Sequence, residues 1–144
     1  MRSVAGRNFW SLVFLQCCSG VALLAILFWW PVPWDFQRKL GCVIAIASMG
    51  LLATARYQLG RSFSITPQAR ILVTHGIYSR IRNPIYVFSA LMIAGVVLVL
   101  HRPLLWLIFA FLVPMQIVRA RKEARVLEKK FGEEYLEYRR NTWF

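Results

Sequence analysis

The sequence predicts an all-α integral membrane protein of about four transmembrane helices in two hairpins, with a cytosolic loop and a helical C-terminal tail. Of its 144 residues, 58% are hydrophobic and only 17% are charged, whereas a soluble domain averages roughly 45–50% and about 25%. The apolar residues are also clustered in uncharged runs of nearly membrane length. Composition and clustering together predict a chain that lies mostly in a bilayer.

Four uncharged runs are the predicted spans. The first, at 9–30, has 22 residues, and three later runs have 16 residues each, at 40–55, 85–100 and 103–118. A bilayer core of ~30 Å needs about 20 helical residues, so we expect arginines and aromatic anchors to extend the three shorter runs. We predict a single membrane domain over 1–144, divided into a first hairpin at 9–59, a cytosolic loop at 60–83, a second hairpin at 84–118 and a cytosolic helical tail at 119–144.

The distribution of positive charge predicts the orientation. If the N-terminus is cytosolic, fifteen of the 18 lysines and arginines fall on cytosolic segments, and only Arg38, Lys39 and Arg102 fall on outer loops. By the positive-inside rule this predicts a multi-pass protein of a bacterial-type inner membrane with both termini in the cytosol. The net charge of +12 then favours anionic lipid. Nucleic acid is not an expected partner, because no soluble domain carries a basic patch.

Local signals indicate where the helices end. Pro31, Pro33 and Asp35 separate the first two spans, and the third and fourth meet at His101-Arg102-Pro103. In the tail, Gly132 fits a helix C-cap followed by a short second helix. The residues before it repeat an apolar helical face at spacings of four and three, formed by Ala120, Ala124, Leu127 and Phe131.

Two charged residues stand where the fourth predicted span leaves the bilayer. Glu123 lies on the shoulder of the apolar face, and Arg119 precedes it by four residues. A carboxylate aimed partly at an apolar face is costly without a partner, so a functional role is one interpretation. An ordinary i,i+4 helix pair is the other. The 3 cysteines and 2 histidines do not have metal-ligand spacing, so we predict no metal site.

Two motifs in the second half of the chain resemble those of a known superfamily. The first reads Leu72-Val73-x-x-Gly76-x-Tyr78-x-x-x-Arg82-Asn83-Pro84-x-Tyr86, and the second reads Glu123-x-x-x-Leu127-x-x-x-Phe131-Gly132-x-x-Tyr135-x-x-Tyr138. Both resemble the isoprenylcysteine carboxyl methyltransferase and phospholipid methyltransferase superfamily. Two positions depart from the pattern: Asn83 replaces the usual histidine, and Ala124 stands where many members have a second glutamate.

The resemblance implies an S-adenosylmethionine-dependent methyltransferase that works at the cytosolic face of the membrane without a Rossmann fold. Its acceptor would be a lipophilic small molecule or a lipidated substrate with a carboxylate, thiol or amine. Arg119 would face this acceptor, and Arg82 is the second candidate catalytic residue. The residues implied in cofactor binding are Leu72, Val73, Tyr78, Asn83, Pro84, Tyr86 and Glu123.

Two other functions remain open at this stage. Membrane sterol reductases carry a similar Arg-His-Pro-x-Tyr segment, which would favour a reduced nicotinamide as the cofactor. A non-catalytic protein whose basic tail docks on anionic lipid would also fit the charge distribution. The oligomeric state cannot be predicted from these features.

Overall fold

The computed structural model describes residues 18–59 and 72–143, and the regular secondary structure within these ranges is entirely helical. The predicted all-α class is therefore confirmed. The beginning of the first predicted span, at 9–17, and most of the predicted loop, at 60–71, lie outside the described residues. The helices are α1 (Cys18–Trp29, as far as it is described), α2 (Phe36–Leu59), α3 (Pro84–Leu100), α4 (Ile108–Phe131) and α5 (Glu133–Arg140).

Two stretches in the described part of the chain are long and apolar enough to cross a membrane. They are α2, with 24 residues, and the 29 residues of Pro103–Phe131, which join a 3₁₀ turn to α4. The two other apolar helices, α1 and α3, are shorter. Large apolar side chains face outward from α4, and Phe111 is 82% exposed. Such a surface suits lipid rather than water. The number of four spans stays a prediction.

Short-range chemistry sets the helix ends. The Asp35 side chain accepts a hydrogen bond of 2.8 Å from the Arg38 backbone N–H and so caps the start of α2. Pro84 occupies the first turn of α3, where its missing N–H costs nothing. His101 ends α3 in the left-handed conformation, with φ of 52°. The break falls at the predicted turn, and Pro103 opens the 3₁₀ turn that follows.

The closest helix packing is between α2 and α3, which run antiparallel. Gly41 and Gly95 allow the backbones to meet, because a methyl group on Gly95 would stand 2.6 Å from the Ala45 backbone nitrogen. One buried cluster, Leu27, Cys42, Ala45 and Val99, joins α1 to this pair where α2 begins and α3 ends. A second buried cluster lies at the opposite end of the pair, where α2 ends at Leu59 and α3 begins at Pro84. We call this end the motif end.

Arg38 illustrates what the charge pattern did not reveal. The sequence predicts it as an outer-loop charge, but in the structure it lies in the first turn of α2 and is only 1% exposed. Its guanidinium donates to the carbonyl oxygens of Leu27 at 2.9 Å and of Val32, and lies 4.0 Å from the centre of the Trp34 ring. Because α1 ends at Trp29, the bond to Leu27 satisfies a carbonyl in its last turn, and the bond to Val32 attaches the connecting segment to α2.

α4 continues without a break through the predicted boundary between the second hairpin and the tail, at 118/119. It ends at Gly132, where φ of 53° and ψ of −123° favour glycine, as the sequence predicts. α5 then begins with Glu133 and Glu134 and ends with Arg139 and Arg140. This order of charges complements the helix dipole.

Candidate functional site

The first motif forms a tight turn against the end of α2. Gly76–Ser79 is a single 3₁₀ turn, and Gly76 has φ of +63°. The Gln58 side chain accepts a 2.8 Å hydrogen bond from the Ile77 backbone N–H, and a Cβ at Gly76 would stand 2.4 Å from that amide. Glycine is therefore required both for the backbone conformation and for the close approach of Gln58.

A buried apolar cluster packs against the 3₁₀ turn. Tyr78 packs with Leu52 and Ala55 of α2 and with Phe88 of α3, and Val73 lies against the same cluster. The Tyr78 side chain is only 7% exposed. The motif end is therefore a packed structure whose aromatic ring is fixed by both helices of the pair.

The two sequence motifs meet through one hydrogen bond. The Tyr86 hydroxyl, in the first turn of α3, donates to Glu123 Oε1 of α4 at 2.6 Å. Arg119 lies one turn before Glu123, and its guanidinium also acts on the Tyr86 hydroxyl. The sequence predicts that Glu123 needs a polar partner, and the structure provides Tyr86, which is 37 positions away. A hydrogen bond to an ionised carboxylate is among the stronger ones in proteins.

The end of the chain is attached to the first motif. The Tyr138 hydroxyl donates to the Tyr78 carbonyl oxygen at 2.7 Å. Beyond α5, the Trp143 backbone N–H donates to the Arg80 carbonyl at 2.8 Å, and the Arg82 N–H donates to the Trp143 carbonyl at 2.9 Å. These bonds hold the tail against both sides of the motif turn.

Burial raises the pKa of two tyrosine hydroxyls at the site. It raises the pKa of the Tyr78 hydroxyl well above its ordinary value, with Tyr138 and Glu123 acting in the same direction and Arg56 against them. Burial likewise raises the pKa of Tyr138 to about 12, although the charge of Arg82 opposes this. Both hydroxyls are therefore neutral hydrogen-bond donors at physiological pH.

A polar pair lies next to the site between α3 and α4. The Gln116 side-chain amide donates to Ser89 Oγ at 3.2 Å, and Ser89 Oγ donates to the Tyr86 carbonyl at 3.0 Å. Pro114 stands inside α4 two residues earlier. Polar groups therefore continue from Tyr86 into the apolar part of both helices, close to Pro114 in sequence.

The structure brings four of the predicted site residues together: Tyr78, Tyr86, Arg119 and Glu123. The other predicted residues lie around them. Pro84 is buried at the start of α3, Asn83 accepts the Tyr86 N–H through its backbone carbonyl at 3.2 Å, and Leu72 is partly buried. Arg82 lies near Tyr135 and Tyr138 of α5, where its charge opposes the rise in the pKa of both hydroxyls.

Three participants were not identified from the sequence. Gln58 supports the motif turn, Trp143 pairs with its backbone, and Arg56 lies close enough to Tyr78 for its charge to act on the hydroxyl. In the sequence, Arg56 is one of the fifteen positive charges that predict the orientation. Gln58 and Trp143 lie outside both motifs, and no spacing pointed to them.

The chemistry of this cluster fits a cationic or zwitterionic ligand. A carboxylate, two tyrosine rings and two arginines surround a small region, and the Tyr78 hydroxyl is buried without a hydrogen-bond partner among the described residues. Aromatic faces and a carboxylate attract a sulfonium or ammonium group. Arginine suits a carboxylate or phosphate. Within the described residues, no three of His, Cys, Asp and Glu lie together as metal ligands.

Comparison with known proteins identifies a family. The sequence model of a family described as phospholipid methyltransferase matches residues 37–134, which include α2, the first motif, α3, α4 and Glu123. No curated protein and no solved structure matches significantly. The matched region is more than half of the chain and contains the four clustered residues. The chain therefore belongs to the phospholipid methyltransferase family, within the membrane methyltransferase superfamily.

Proposed function

We propose that this membrane protein is an S-adenosylmethionine-dependent methyltransferase that modifies a lipophilic acceptor at the cytosolic face of the membrane. The observation that carries the proposal is the 2.6 Å hydrogen bond between Tyr86 and Glu123. It joins the two motifs into one cluster at the motif end, and family membership supports methyl transfer rather than nicotinamide chemistry.

In this proposal each residue of the cluster has a separate role in binding the cofactor. Glu123, held by Tyr86, neutralises positive charge, while the rings of Tyr78 and Tyr86 offer aromatic faces to a cation. Asn83 and Pro84 stand at the start of α3, Leu72 and Val73 precede the turn, and the proposal assigns all four to the cofactor site. When bound, S-adenosylmethionine supplies an electrophilic methyl group on a cationic sulfur for direct displacement.

The acceptor is proposed to enter from the bilayer. Arg119 emerges from α4 next to Tyr86, and its forked guanidinium can orient an anionic acceptor such as a carboxylate. A carboxylate or thiolate needs mainly alignment and desolvation in this reaction, so no general base is required. The Ser89–Gln116 pair lies between the helices along which such an acceptor would approach.

The proposed topology places four spans in the membrane and the motif end in the cytosol. α3 has 17 residues, or roughly 25 Å at 1.5 Å per residue, which is at the short end of the range for a span. The part of the first span before residue 18 is outside the described residues. Support comes from the charge asymmetry, since Arg56, Arg80, Arg82 and the basic tail are all near the motif end or beyond it.

Transfer of a labelled methyl group tests this function. Membranes containing the wild-type chain, incubated with methyl-labelled S-adenosylmethionine, should incorporate label into the lipid-soluble fraction. Glu123→Gln should abolish this incorporation, because it removes the charge and keeps the shape. Glu128→Gln, an exposed position on the same helix, is the matched control and should retain it. Equal incorporation by wild type and Glu123→Gln would overturn the proposal.

A further inference from the structure

Arg56, in the last turn of α2, places a positive charge close to Tyr78. Gln58 binds the Ile77 backbone at 2.8 Å, and Ala55 packs in the same buried cluster as Tyr78. Arg56, between them in sequence, is partly buried, and its charge acts on the Tyr78 hydroxyl. The contacts of its neighbours therefore hold Arg56 beside the motif turn.

The Tyr78 hydroxyl is the second part of this region. Its oxygen is buried and has no hydrogen-bond partner among the described residues, in a side chain that is 7% exposed. A buried polar group without a partner is costly, and a ligand atom that accepts a hydrogen bond removes that cost. A tyrosine hydroxyl is protonated at physiological pH and can donate a hydrogen bond to such an atom.

Opposite charges act on this hydroxyl. Arg56 is a positive neighbour and Glu123 a negative one, and Glu123 is fixed by its bond to Tyr86. A ligand group with one negative and one positive charge, such as the zwitterion of an amino acid, complements this arrangement. Arginine can grip a carboxylate with two parallel hydrogen bonds, to which a neutral hydroxyl can add a third.

We propose that Arg56 and Tyr78 form an oxyanion subsite for the carboxylate of the cofactor's amino-acid moiety, while Glu123 faces its ammonium group. This inference rests on the proposed function, since it concerns how S-adenosylmethionine is held. It gives Arg56 a binding role and explains why a tyrosine whose hydroxyl has no hydrogen-bond partner in the described part of the chain is buried at the centre of the first motif.

A lipid phosphate is the other oxyanion that an arginine could bind here. The position of Tyr78 favours the cofactor carboxylate, because its ring is enclosed by Leu52, Ala55 and Phe88 rather than by lipid. A phosphate attached to acyl chains must stay close to the bilayer surface, whereas a water-soluble zwitterion has no such restriction. Arg119 remains the arginine nearest the proposed acceptor.

A pair of ligands that differ only in the carboxylate tests the subsite. Calorimetry on the detergent-purified chain would compare S-adenosylmethionine with its decarboxylated analogue. We expect the wild type to bind the intact cofactor about 10- to 100-fold more tightly, as for charge-assisted hydrogen bonds. Arg56→Gln should remove most of this preference. Arg80→Gln, which removes an exposed charge near the same turn, should retain it.

The outcomes separate this inference from the proposed function. If the wild type binds neither ligand, the proposed function fails. If it binds both ligands equally, or if Arg56→Gln keeps the full preference, methyl transfer stands and the subsite is overturned. The same holds if Arg56→Gln changes only the KM for the lipid acceptor, because the arginine would then bind the acceptor.

Tyr78→Phe provides an independent measurement. A tyrosine hydroxyl with a structural role stabilises the fold, whereas removing an unpaired buried hydroxyl leaves stability unchanged or raises it. We therefore expect Tyr78→Phe to unfold at the wild-type temperature or above, while its preference for the intact cofactor falls about tenfold. A lower unfolding temperature together with an unchanged preference would contradict the subsite, even if Arg56→Gln did not fold.

Discussion

At the scale of single residues, Glu123 is the residue through which the second motif contacts the first. Its carboxylate is on a helix that leaves an apolar region, and it accepts the Tyr86 hydroxyl at 2.6 Å. A carboxylate can accept several hydrogen bonds, so Glu123 can hold Tyr86 and a cationic ligand at the same time. We therefore propose that Tyr86 positions Glu123 in addition to offering an aromatic face to the cofactor.

Tyr86→Phe isolates this positioning role. The ring remains, but Glu123 loses the bond that fixes its carboxylate, so we expect S-adenosylhomocysteine to bind about tenfold more weakly. Tyr57→Phe is the matched control, because Tyr57 is 80% exposed on α2. Calorimetry on the three proteins measures the difference. Wild-type affinity in Tyr86→Phe would show that the hydroxyl does not position Glu123.

At the scale of elements, the α2–α3 pair determines where the site lies. The small residues that let these helices touch are at one end, and the motif turn is held at the other by Gln58 and by Tyr78. A change in the distance between the helices would move Tyr86 relative to the motif turn. The closeness of this pair is therefore a condition for the site.

Gly95→Ala tests the close packing. The new methyl group would stand 2.6 Å from the Ala45 nitrogen and 2.7 Å from the Gly41 carbonyl, so the helices must separate. Overpacking of this kind typically costs about 1–3 kcal/mol. Gly50→Ala is the control, because nothing lies within 4 Å of its new methyl group. We expect the unfolding temperature in detergent to fall for Gly95→Ala and not for Gly50→Ala.

At the end of the α2–α3 pair opposite the motif end, His101 and Asp35 form a pH-dependent contact. His101 Nε2 lies 2.9 Å from Asp35 Oδ2, and Nδ1 lies 3.2 Å from the Val99 carbonyl. The bond to Asp35 raises the pKa of His101, with Arg38 acting against it. The backbone bond from Arg38, followed by that from His101, lowers the pKa of Asp35.

The signs of these shifts define a pH window. The histidine's contribution is complete below its ordinary pKa of 6.5 and is lost as pH rises through the raised value. The aspartate's contribution is complete above its ordinary pKa of 3.8 and is lost as pH falls through the lowered value. His101→Asn, which tolerates the left-handed backbone, should therefore lower the unfolding temperature most at about pH 5 and least at about pH 9. A pH-independent difference would contradict the link.

At the scale of the whole molecule, the charge distribution and the site agree. Arg56, Arg119 and the basic tail lie at or beyond the motif end, whereas Arg38, Lys39 and Arg102 lie at the other end of the α2–α3 pair. By the positive-inside rule we expect the proposed cofactor site to face the cytosol, where a water-soluble cofactor is available.

Cysteine labelling from one side of the membrane tests this topology. Lys130→Cys should react with a membrane-impermeant maleimide only after cells are lysed, because we expect the tail in the cytosol. Lys39→Cys should react in intact cells. The unsubstituted chain gives the background from its own cysteines. The reverse pattern would move the site to the outer face.

Features that depend on a single segment of the chain were predictable from the sequence. The turn at His101, the stop at Gly132 and the apolar face before it depend on local backbone preferences and periodicity, and all three occur in the structure. The motifs were recognised through resemblance. The roles of Arg38, Gln58 and Trp143 depend on contacts between distant segments, which no local pattern encodes. The Tyr86–Glu123 bond joins residues 37 positions apart for the same reason.

The most direct test of the central claim is whether Glu123 makes this chain bind the cofactor. Calorimetry of the detergent-purified protein with S-adenosylhomocysteine should show saturable binding by wild type and by Glu128→Gln. Binding by Glu123→Gln should be at least about tenfold weaker, as for a lost charge-assisted interaction. Absence of binding by the wild type, or equal binding by Glu123→Gln, would contradict the account.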